Sequence, residues 1–226
     1  MNAGLIKEEK TVGILGEGSL FMRFLNRLAD LLILNLLTLV MCLPVVTAGA
    51  SITAMHYILL KMVRGEEGYI VKPFFSSFKR NFRQATILWV MFMVLSAILV
   101  TCFLLVARGS GAYPAWLQVS ILITGVILLV VMFYTFALLA RYDNTVLQTL
   151  FNGFALTFGQ PLRSLEILIV LMVPLFVGLR TLLPLFILFG LSVPGYACAM
   201  IYDPVFRRIE KQMGIPEEEP EEPEDA

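Results

Sequence analysis

Charge is scarce in this sequence. Charged residues make up 15% of its 226 positions against 58% hydrophobic, and the mean hydropathy is +0.84. A soluble core needs far less apolar material. Histidine is scarcer still: His56 stands alone, which excludes a multi-histidine metal site. Cys42, Cys102 and Cys198 are odd in number and widely spaced, so neither a disulfide framework nor a cysteine metal site is expected. They read as small apolar residues inside apolar segments. The sequence has no H-E-x-x-H, no G-x-x-x-x-G-K-[ST] and no G-x-S-x-G at a helix start. Zinc-protease, P-loop and nucleophile-elbow chemistry are thereby excluded, and the chain is read as non-catalytic and without cofactors. Nothing points to a nucleic-acid partner. The longest polar connections run to about 20 residues, too short for an extramembrane domain.

The apolar residues arrive in blocks of roughly 16 to 25, the length that crosses a hydrocarbon core. The expected fold is an all-α polytopic membrane bundle of six spans. They run at about Phe24–Leu43, Ala48–Val63, Ala85–Ala107, Ala115–Ala140, Leu162–Leu179 and Leu182–Tyr202. The second, 16 residues and about 24 Å as a helix, is short and read as a brief span or a re-entrant helix. Thr47 is expected to cap it, and Ala48, Gly49, Ala50 and Ser51 to let two helices pack closely. Ala48-Gly49-Ala50 mimics a signal-peptide cleavage site, but a polar lead-in this long argues for retention. Residues 1–22 form a cytosolic segment, 23–206 one bundle domain, and 207–226 a cytosolic helix end with an acidic tail. Asp203-Pro204 is expected to open that last helix. Seven acids in Glu217–Asp225 are read as disordered. Without them the chain holds 17 basic and 10 acidic residues.

The basic residues set the orientation. Six spans place 15 of the 17 on one side, leaving only Arg108 and Arg180 opposite, so both termini are expected in the cytosol of a cell membrane. A five-span count without the second span would put Lys72 to Arg83 outside and is rejected unless residues 48–63 are re-entrant or the chain is processed.

Lys72–Gln84 holds Phe74, Phe75, Phe78 and Phe82 on one helical face, with Lys79, Arg80 and Arg83 elsewhere. Such a segment reads as a helix lying in the membrane interface. Lys72, Lys79, Arg80 and Arg83 are candidate contacts for anionic lipid heads. The frame returns 76 residues later, where Phe75, Phe78, Phe82 and Gln84 are echoed by Phe151, Phe154, Phe158 and Gln160. We read two cytosolic interfacial elbows, each leading into a span, in an internal repeat of parallel orientation. Asp143 or Asn144 is the expected cap of the second.

The candidate polar residues within the membrane are Asp30, Asn35, Thr47, Ser51 and His56. Each has a plain structural reading: Asp30 pairs with Arg27, Asn35 bonds across helices, His56 packs as a bonded core histidine, and Thr47 and Ser51 simply hold helices together. The functional alternatives are a proton relay or substrate contact at His56, and a polar crevice shared by Thr47, Ser51, Thr53 and His56. Glu166 is expected to pair with Arg163.

Leu43-Pro44-Val45-Val46-Thr47-Ala48-Gly49-Ala50, Ala54-Met55-His56-Tyr57, Arg64–Tyr69 and Phe74–Thr86 together resemble the signature of the YesL family, over roughly residues 20–206. These are bacterial integral membrane proteins of uncharacterised activity. The resemblance implies a role beside carbohydrate import, since members commonly accompany sugar-uptake and polysaccharide-degradation genes. It supplies no catalytic or binding residues. The expected partners are membrane lipids, a sugar transporter complex and further copies of the chain. The alternatives are a small secondary transporter or channel-like oligomer, and a lipid-interacting scaffold.

Overall fold

Helix is the only regular structure among the described residues. The computed structural model describes residues 20–66, 68–109, 113–180 and 188–214. Helix α1 spans Leu20–Cys42, a 3₁₀ turn Val45–Thr47 follows, and α2 spans Ala48–Arg64. Then come α3 (Val71–Arg108), α4 (Ala115–Arg141), α5 (Val146–Gly159), α6 (Pro161–Arg180) and α7 (Ser192–Gln212). Four segments are long and apolar enough to cross a membrane: Phe21–Cys42, Val45–Arg64, Val71–Arg108 and Ala115–Arg141. The bent pair Val146–Gly159 and Pro161–Met172 makes a fifth if counted as one span. The sixth expected span lies partly outside the described residues, as do the N-terminal segment to Ser19 and the acidic tail.

Helix α2 is the hub, packing on α1, α3, α4 and α7. Twelve of its 17 residues are buried, so little of its surface is left facing outward. The 3₁₀ turn lengthens the segment to 20 residues, enough by length for a span. Gly65 ends it in the left-handed conformation at φ 77°, with Glu66 N donating to Lys61 O and Gly65 N to Met62 O. This pair of bonds is a Schellman motif, and glycine takes that backbone conformation without a Cβ clash. Thr47 does not cap α2 with its side chain. Its hydroxyl instead donates to the carbonyls of Met41 (2.6 Å) and Pro44 (2.7 Å), tying the turn to the end of α1.

The first elbow is not a separate helix. It is the opening of α3, a continuous 38-residue helix of about 57 Å. From Phe74 to Arg108 the chain contains neither glycine nor proline, and Pro73 sits in the first turn, where its missing N–H costs nothing. Phe74 and Phe78 are buried in the core rather than laid on a membrane surface, Phe75 is half-buried and Phe82 is exposed. The second elbow is discrete. Gly159-Gln160-Pro161 breaks the chain, and α5 and α6 meet at 99°. Ser164 Oγ donates to Thr157 O across that joint. Here Phe151, Phe154 and Phe158 are all exposed. What the two copies share is a buried small-residue stripe: Ser77 and Asn81 in one, Gly153 and Thr157 in the other, 76 residues apart.

Neither Asp143 nor Asn144 caps α5. Thr145 does, in a capping box with Gln148. Thr145→Ala is expected to weaken the start of α5 by about 1 kcal/mol, read as faster amide exchange over residues 146–159. Asp143→Ala should leave that exchange unchanged. Helix α7 also departs from expectation. Asp203-Pro204 lies inside it, and the helix carries on through Pro204 to Gln212.

Burial divides α3 and α4 lengthwise. The first half of α3 and the second half of α4, from Val130 to Ala140, lie in the core. Apart from Val106, the halves adjoining the 109–114 connection do not. Val94, Ile98, Val100 and Leu105 of α3 are exposed, as are Trp116, Val119, Leu122 and Ile123 of α4. Together they form an apolar two-helix hairpin whose outer face nothing among the described residues covers.

Candidate functional site

Two polar constructions stand out. The first is a charged clasp where α2 and α4 end. Arg64, the last residue of α2, donates through Nε to Asp203 Oδ1 at 2.7 Å and through Nη2 to Glu210 Oε1 at 3.3 Å. Arg141, the last residue of α4, donates through Nε to the same Oε1 at 2.8 Å, and the Tyr142 hydroxyl donates to it at 3.1 Å. Arg207 Nε closes the set on Asp203 Oδ2 at 2.7 Å. The Asp203 and Glu210 side chains are only 4% and 7% exposed, so these charges are paired out of water and held by at least two hydrogen bonds each. Asp203, with both oxygens engaged, is thus an anchor inside α7 rather than its first cap.

Electrostatics follow from the geometry. Burial alone raises the Glu210 pKa, yet the hydrogen bond from Arg141, the charges of Arg64 and Arg141 and the Tyr142 hydroxyl outweigh it, leaving the carboxyl below its ordinary range. For Tyr142, burial first and the neighbouring Glu210 charge second push the phenol well above its usual pKa, so it remains a donor. Chemically the clasp is a lock. It joins α7 to the ends of α2 and α4: Arg64 precedes Asp203 by 139 residues and Arg141 precedes Glu210 by 69.

The second construction is buried around His56. Its Nδ1 lies 3.0 Å from the Tyr202 hydroxyl, and its ring meets Phe133 edge-on at a centroid distance of 4.7 Å. Beside it lies an apolar cavity of about 240 Å³ bounded by Met55, Phe133, Phe136, Leu171 and Pro194. Such a lining suits an apolar group and offers a single polar edge, that of the imidazole.

The residues singled out in the sequence do not converge. Ser51 Oγ donates to Thr38 O (2.9 Å), joining α2 to α1, and Thr53 bonds back to Gly49 O within α2. Neither they nor Thr47 line the His56 cavity, so no shared polar crevice forms. Asn35 is fully buried, and its Oδ1 accepts from the backbone N–H groups of Leu191 and Ser192 (3.0 Å each), capping α7 from across the bundle. Asp30 is half-buried on α1, bordering a separate crevice. Lys72, Lys79, Arg80 and Arg83 are exposed on α3, with the Arg80 guanidinium 5.6 Å from the Tyr57 ring centroid. Arg163 does not pair with Glu166 but donates to the Ile201 carbonyl. No cluster of three or more metal-binding side chains occurs among the described residues.

The clasp went unread in the sequence, although one signal was there. Arg64 and Arg141 end two apolar helices 77 residues apart, nearly the spacing of the phenylalanine repeat. What the sequence does not disclose is that one carboxylate serves both.

Long apolar helices packed around a buried α2 define a multi-pass helical membrane protein. A family model described as "Protein of unknown function, DUF624" matches residues 31–102, which take in the second half of α1, all of α2 and α3 as far as Cys102. No curated protein and no solved structure matches the chain.

Proposed function

We propose that this chain is a non-catalytic membrane component that assists or regulates carbohydrate uptake by contacting a transporter. In this reading it is a YesL-type protein with six crossings and both termini in the cytosol. The observation that carries it is the apolar hairpin formed by the outer halves of α3 and α4. Its face, with Val94, Ile98, Leu105, Trp116 and Leu122 exposed, is available to a neighbouring helix. The interior supports the same reading. Asn35, Ser51 and His56 are engaged in holding helices to one another, which suits a rigid accessory rather than a gate. On this topology the clasp stands at the cytosolic end, where most of the basic residues gather.

The test is affinity purification of the tagged chain in mild detergent from cells grown on a polysaccharide. A sugar-transporter subunit is expected to co-purify, and Ile98→Trp with Leu122→Trp to reduce its recovery. Recovery of no transporter subunit from gently solubilised membranes would refute the reading. The His56 cavity favours a second reading, a small transporter acting alone. Uptake by vesicles containing only this chain, abolished by His56→Ala, would establish it.

A further inference from the structure

A second cavity, of about 610 Å³, opens between the first half of α1, the last turn of α2 and the connection leading to α3. Buried Ile58, Met62 and Ile70 contribute its apolar part. Its polar wall is a set of cations. Arg23 and Arg27 stand one turn apart on the same face of α1, and Lys61 lines it from α2. Lys61 Nζ lies 3.3 Å from Glu66 Oε2, which offsets that charge. Neither arginine has a hydrogen-bond or ion-pair partner among the described residues. The Asp30 carboxylate also borders the cavity, so the two guanidiniums outnumber the acid left after the lysine pair is set aside. Asn26 adds an amide and Tyr69 a phenol at the rim.

We propose that this crevice binds a phosphate group. Two guanidiniums on adjacent turns offer planar forks of N–H donors, which match the oxygens of a phosphate and engage it through charge-assisted bonds. The site is distinct from the exposed basic residues of α3. It also does not depend on whether the chain contacts a transporter. Two sources can supply the same chemistry, an anionic lipid headgroup and a soluble phosphate. The apolar ground for lipid chains is present, since Phe21, Phe24 and Leu25 are exposed on α1 around Arg23.

The experiment measures binding to the full-length protein purified in neutral detergent. The probes are inorganic phosphate, short-chain phosphatidylglycerol and phosphatidylcholine of the same chain length. Phosphatidylglycerol binding more tightly than phosphatidylcholine identifies a headgroup site, and inorganic phosphate binding identifies a soluble ligand. In either case R23Q/R27Q is expected to weaken affinity about tenfold or more, while K79Q/R80Q retains it. Should the double variant not fold, Arg27→Lys keeps the charge and loses the fork, and weaker binding of the same probe is expected. The proposal falls if no probe distinguishes the wild type from the arginine variants, or if K79Q/R80Q weakens binding as much as R23Q/R27Q does.

Discussion

Gly49→Leu is expected to destabilise the protein by about 3 kcal/mol, through overpacking of the α2–α3 interface. A Cβ at position 49 would stand 2.6 Å from Trp89 Cβ and 2.7 Å from the Ala85 carbonyl oxygen. Neither obstacle is the free end of a flexible side chain. One is the root of an indole and the other is backbone, so relief requires that the helices separate. Separation would be costly because α2 is the element on which four other helices pack. Two further glycines set the scale. At Gly195 the nearest atom is the Leu59 Cδ1 methyl at 2.7 Å, which a rotamer change moves, so Gly195→Ala should cost less. At Gly125 nothing lies within 4 Å, and Gly125→Leu should be close to neutral. Thermal unfolding followed by size-exclusion in detergent ranks the three. A Gly49→Leu protein as stable as Gly125→Leu would mean that α2 and α3 do not meet as described.

Glu210→Ala is expected to cost about 3–5 kcal/mol, because it leaves two largely buried guanidiniums without their shared carboxylate. Arg64 and Arg141 are 10% and 17% exposed, so water cannot fully replace the lost partner. Arg207→Ala, at the open end of the network with a side chain 43% exposed, should cost about 0–1 kcal/mol. The clasp also carries a pH signature. The folded protein holds the Glu210 carboxyl below its unfolded value of 4.5, so the unfolded chain takes up the proton first on acidification. The contribution of Glu210 is therefore fully present above about pH 4.5 and is lost as pH falls through the lower folded value. Wild-type stability should decline over that acid window, and Glu210→Ala should flatten the decline. An equal slope in both proteins would place the acid sensitivity elsewhere.

Much of the helical layout was legible beforehand. Spans 1, 2 and 4 fall within a few residues of α1, α2 and α4, because long apolar runs bounded by proline, glycine and arginine leave few other ways to satisfy the backbone. The break between α5 and α6 was legible for the same reason, since Gly159 and Pro161 punctuate it. The first elbow was misread because its phenylalanine periodicity specifies a helical face without specifying what covers that face. The same spacing gives an exposed face in α5 and a protein core at the start of α3. Local rules also named the wrong caps: Thr145 was passed over for its acidic and amide neighbours, and Asp203 was given to a helix start when two arginines claim it.

The sequence by itself determined that this is a multi-pass helical membrane protein, because composition and run length are properties of each segment taken alone. It also determined that the small residues at the start of α2 admit a close neighbour. Only the tertiary structure decided which neighbour that is, that Asn35 caps a helix 156 residues away, and that Arg64 and Arg141 share Glu210. Those pairings depend on where helices cross, and a crossing is fixed by the packing of all its neighbours at once, which no periodicity within a single segment records.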